Sequence, residues 1–93
     1  MVNKNILKIR KKLDQLDNYF LNLVKKRTLL VDKVLKNKKY KKDIVDKKRI
    51  KIILKNINKK SRHKNIDPKI TQSIWKSMIK AYIDYEYRNF KKK

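Results

Sequence analysis

Apolar residues punctuate the first part of the chain at alternating steps of three and four: Ile6, Ile9, Leu13, Leu16, Phe20, Leu23, then Leu30 and Val34. That period marks one face of an α-helix. Residues 3 to about 39 hold no Gly or Pro to interrupt it. The series calls for further apolar members at 27 and 38, and cations stand there instead, Arg27 and Lys38. At ~1.5 Å per residue such a helix exceeds ~50 Å. One small domain does not cover both ends of its stripe, whereas a second copy of the chain would.

Residues 39–43, Lys-Tyr-Lys-Lys-Asp, read as a short connection. Asp46 is placed to cap a second helix, whose apolar positions are Ile50, Ile53, Leu54 and Ile57 and which fades near Lys60. Ser61 to Asn65 reads as a polar turn. Asp67-Pro68 then opens a third helix, an N-cap residue followed by proline at the first helical position. This helix carries Ile70, Ile74, Trp75, Met78, Ile79, Tyr82 and Tyr85. The tail, Lys91 to Lys93, is expected to fray. No strand pattern or internal repeat interrupts this order. The expected fold is all-α, with one very long, one short and one medium helix in a single domain spanning residues 1–93.

Composition narrows the chemistry. The 93 residues include no cysteine and one histidine, so disulfides and thiolate metal sites are excluded and no metal centre is expected. The histidine, His63, sits in Ser-Arg-His-Lys and reads as a solvated loop residue. No apolar run approaches the ~20 residues that span a bilayer, and the N-terminus lacks the apolar core of a signal peptide. A soluble, cytoplasmic protein is the expectation. The net charge of +22 first suggests nucleic acid. Lys, Ile and Asn are, however, the residues an A/T-rich genome over-supplies, and lysine fills nearly every polar position, which looks like a diffuse bias. Against 25 Lys, the 5 Arg stand out, as does Glu86, the only glutamate.

A cation on an apolar stripe costs several kcal/mol unless it is paired. With eight acids in the chain, a bound anion is a better partner for Arg27 than an internal carboxylate. Lys38 lies about three turns further on, ~16 Å along the axis and on the same face. Arg10 is ~25 Å before Arg27 and roughly 100° away from it. The two meet only if long helices from two chains pair antiparallel. Arg49 stands three residues after Asp46, where the helix dipole disfavours a cation; its alternatives are a salt bridge to Asp46 or Asp43, or an anion. Glu86 follows Trp75, Ile79 and Tyr82 at spacings of four, three and four and continues the apolar face. It is either a neutral hydrogen-bond donor or the partner of a lysine.

The succession Arg10, Arg27, Lys38, Asp46-x-x-Arg49 and a late Glu86 resembles the all-helical class of chorismate mutases. Three framing stretches carry the likeness as well: Ile-Arg-x-x-Leu-Asp-x-Leu-Asp over residues 9–17, Lys26-Arg27 before an apolar stretch, and Ile66-Asp67-Pro68 opening the last helix. The likeness covers essentially the whole chain.

It implies an intertwined homodimer of three-helix chains with active sites shared between them. Arg10 would reach in from the other protomer to hold one carboxylate of chorismate, and Arg27 would hold the other. Lys38 would donate to the ether oxygen and to a carboxylate. Arg49 and Asp46 would line the site, and Glu86 would fall where the family places a Gln or Glu facing the ether oxygen. The reaction, chorismate to prephenate on the route to Phe and Tyr, is intramolecular and needs no nucleophile or cofactor. Two positions depart from the pattern. Ile50 stands where an acid usually engages the substrate hydroxyl, and Tyr82 where a small hydroxyl residue is common. Isochorismate pyruvate lyases, which share the fold and much of the site, are therefore the nearest alternative, with a basic helical nucleic-acid-binding protein behind them.

Overall fold

A computed structural model describes residues 3–91. These form three α-helices, α1 (Lys4–Lys36), α2 (Lys47–His63) and α3 (Pro68–Asn89), with one 3-10 turn, Lys41–Asp43, between α1 and α2. Among the described residues there is no strand. The expected fraying at Lys92 and Lys93 lies outside them. No described helix is long and apolar enough to cross a membrane.

From Lys4 to Lys33 the first unit is a single helical rod. Asn3 starts it, its side-chain oxygen accepting from the Ile6 amide at 3.0 Å, which satisfies one of the amide groups a helix start leaves without an intrahelical partner. No residue of this stretch is fully buried. Leu13, Leu16, Phe20, Leu23 and Leu30 are each more than half exposed. The stripe read from the sequence is real, and within this chain it stays open to solvent. Thr28 closes its hydroxyl on the Val24 carbonyl at 2.8 Å.

From Val34 onward the chain forms a second unit. The helix ends earlier than its apolar period suggests. Asn37 and Lys38 donate to the carbonyls of Val34 and Leu35, three residues back rather than four. This tightening closes the last turn and puts Lys38 past the helix end rather than on its face. Among the described residues, Leu35 and Ile44 are the buried apolar side chains. Half-buried Ile53, Leu54 and Ile57 of α2 and Trp75, Met78, Ile79, Tyr82 and Ile83 of α3 extend that core.

α2 and α3 pack together as a helical hairpin. α2 runs to His63, beyond the expected fade at Lys60, and Ser61 lies within it rather than in a turn. The reason is local. Ser61 Oγ bonds the Ile57 carbonyl at 2.6 Å and Thr71 Oγ1 at 2.7 Å. Its hydroxyl is therefore satisfied while buried, which a period count scores as a polar break. His63 is exposed, but in the last helical turn. Asn65 then adopts φ 57°, and the amides of Ile66 and Asn65 close on Ser61 and Arg62. That is a Schellman ending with asparagine in the left-handed position, in a chain that has no glycine to put there. Asp67 caps α3 through the Lys69 amide at 2.9 Å, with Pro68 as its first residue.

Candidate functional site

The second unit brings two of the singled-out residues together. Lys38 Nζ donates to Glu86 Oε1 at 3.0 Å and to the Ile44 carbonyl at 3.2 Å. The ion pair joins positions 48 residues apart in the chain. Its side chains are 19% and 9% exposed. Of the two readings of Glu86, partner of a lysine is the one observed. The Ile44 carbonyl is an addition that no residue pattern could announce, because it is main chain. It becomes available because the 3-10 turn, tied by Asp43 Oδ2 accepting from the Tyr40 amide at 3.1 Å, folds the connection back under Lys38. An ammonium held by two oxygens is fixed in place, so it can meet a further oxygen without reorganising.

Asp46, Arg49 and Ile50 occupy the start of α2. The Asp46 carboxylate accepts from the Arg49 amide at 3.0 Å, as a cap should. The Arg49 side chain is exposed and Ile50 half-buried. A shallow groove beside this turn is lined by Lys42, Asp43, Val45, Asp46, Lys47 and Lys48. Tyr82 lies one turn before Glu86 on α3, half-buried, with its ring edge-to-face with Tyr85 at 6.3 Å and 85°. Tyr82 and Glu86 therefore share a face.

Arg10 and Arg27 belong to the first unit. Arg10 is exposed on α1. Arg27 is half-buried, with its Nε shielded from solvent. Among the described residues, no group of three or more His, Cys, Asp or Glu side chains is gathered as metal ligands would be.

Residues 9–87 match the family model described as chorismate mutase type II. No curated protein and no solved structure matches the chain.

Proposed function

The chain belongs to the chorismate mutase type II family, and from that premise we propose that it rearranges chorismate to prephenate as an intertwined homodimer, each chain one domain. The observation that carries this reading is the shielded contact between Lys38 and Glu86. A lysine and a Gln or Glu facing the ether oxygen are what the family pattern asks of these two positions.

The chemistry needs a clamp and an oxygen donor. Arg27 takes one carboxylate and the partner's Arg10 the other, each through the planar fork that suits bidentate binding. Held so, the dianion is confined to the compact conformer from which the bond can migrate. Lys38 meets the ether oxygen as negative charge develops there. Arg49 and Asp46 line the site at the start of α2, and Glu86, held by Lys38, faces the ether oxygen. Ile50 and Tyr82 contribute apolar walls where an acid and a small hydroxyl are usual.

A separate observation supports the shared site. Residues 13–24 contain no Lys or Arg, in a chain with 30 of them. Like-charged helices repel, so this window is where two copies of α1 can cross. Its centre falls between residues 18 and 19, which is also the midpoint between 10 and 27. Antiparallel pairing about that point sets the partner's Arg10 beside Arg27 and gives the exposed apolar stripe of α1 a cover.

The test is turnover. Loss of chorismate ultraviolet absorbance with appearance of prephenate is the expected result. Folded protein that leaves chorismate unchanged across a range of pH would refute the proposal. Ile50 favours one second reading, cleavage of isochorismate to salicylate and pyruvate, because it lacks the carboxylate that would engage the chorismate hydroxyl. Running both substrates side by side separates the two.

A further inference from the structure

The cations are not spread evenly over the three helices. α2 holds eight Lys and Arg in 17 residues and none of the eight acids of the chain. α1 and α3 between them carry five of those acids: Asp14, Asp17, Asp32, Asp84 and Glu86. A genome-wide lysine bias raises the count everywhere. It does not empty one helix of acids.

Geometry sharpens the contrast. At ~100° per residue, Lys47, Lys48, Lys51, Lys55, Lys59 and Arg62 fall within an arc of about 120°. All six are exposed, and Asn58 is the one uncharged residue inside the arc. The opposite side of α2, with Ile50, Ile53, Leu54, Ile57 and Ser61, is turned to the core. The cationic face is thus held outward on a rigid element, as a strip ~22 Å long. Arg49 and Lys60 lie off it.

We infer that this face binds the phosphate backbone of duplex DNA without reading its sequence. The residue types choose among polyanions. Five lysines to one arginine supply point charges for phosphates rather than the bidentate forks that read base edges. No aromatic side chain lies on the face, so single strands find no stacking platform. A protein partner would want apolar or aromatic anchors, and lysine is depleted from the cores of such interfaces. An anionic membrane would want an apolar flank, and the apolar side of α2 is already taken by α3. B-form DNA offers a major groove about 12 Å wide that admits a helix between its phosphate rails. The deep, narrow major groove of duplex RNA does not. The inference stands apart from the catalytic reading and uses none of its residues.

The test is fluorescence anisotropy of the full chain with a labelled DNA duplex of mixed sequence between 50 and 200 mM salt. Six phosphate contacts give a slope of log K against log salt of about −5, close to a thousandfold loss across that range. Neutralising the face with Lys51→Gln, Lys55→Gln and Lys59→Gln is expected to lower the slope by about three. A matched control, Lys69→Gln, Lys76→Gln and Lys80→Gln on exposed positions of α3, removes the same charge and is expected to change it by less than about one. Equal effects from the two triple variants would show a diffuse field and overturn the inference. So would single-stranded DNA or duplex RNA binding as tightly, or no binding at 50 mM salt. Helicity by circular dichroism confirms that each variant is folded, and chorismate turnover reports separately on the catalytic reading.

Discussion

Lys38 shows how a residue can be singled out by one geometry and positioned by another. The apolar period put it on the face of α1, in line with Arg27. The structure ends α1 at Lys36 and delivers Lys38 to Glu86 from the connection that follows. Its identity was legible as a cation in an apolar slot. Its partner was not, because a contact across 48 residues leaves no local periodicity. The pair gives the first prediction. Lys38→Ala strands a shielded carboxylate, a change that costs about 3 kcal/mol or more in such pairs. In thermal unfolding the Lys38→Ala, Glu86→Gln double variant should recover much of that loss, and a double variant no more stable than the single one argues against a coupled pair. Turnover should rank Glu86→Gln at or above the parent and Glu86→Ala well below it, since an amide supplies a donor toward the ether oxygen and frees Lys38 from a negative neighbour. If the amide variant proves as inactive as the alanine variant, position 86 does not serve the ether oxygen. Arg27→Ala should cost at least about a hundredfold in kcat/KM with the helical spectrum unchanged.

The starts of the helices were legible as elements and their ends were not. Asp46 and Asp67 announce the starts of α2 and α3 because a cap is a short-range device, one side chain to one amide nearby. Asp46→Ala should lower stability by about 1 kcal/mol, readable as a drop in Tm. The end of α2 ran past its expected limit because Ser61 hides its hydroxyl on Ile57 and Thr71. A partner ten residues away is invisible to a count of polar positions. Asn65 closes that helix at φ 57°. Asn65→Gly should leave stability equal or raise it by a few tenths of a kcal/mol, whereas Asn65→Val should lower it by more than about 1 kcal/mol. Two variants of equal stability would mean the left-handed turn is not retained in solution.

At the scale of the molecule, the sequence showed that α1 has more apolar stripe than one chain can cover, and the structure leaves that stripe exposed at Leu16, Leu23 and Leu30. Which surface covers it is not written in a period; the proposed dimer puts a second copy over the cation-free window between Lys12 and Lys25. Complementation tests the arrangement. Arg10→Ala and Arg27→Ala chains should each be inactive. Mixed and refolded together, they place both lesions in one site of every heterodimer and leave the other site intact, so random pairing restores about a quarter of parental activity. A mixture as inactive as its components would mean that each site is built from one chain. The proposed pairing of that helix would also set how output responds to supply. Where two chains must meet before either has a complete site, capacity at low abundance grows as the square of the amount synthesised, and halving expression quarters the flux. Such a step behaves less like a fixed valve than like a threshold, nearly silent in a cell that makes little of the chain and steep where production rises.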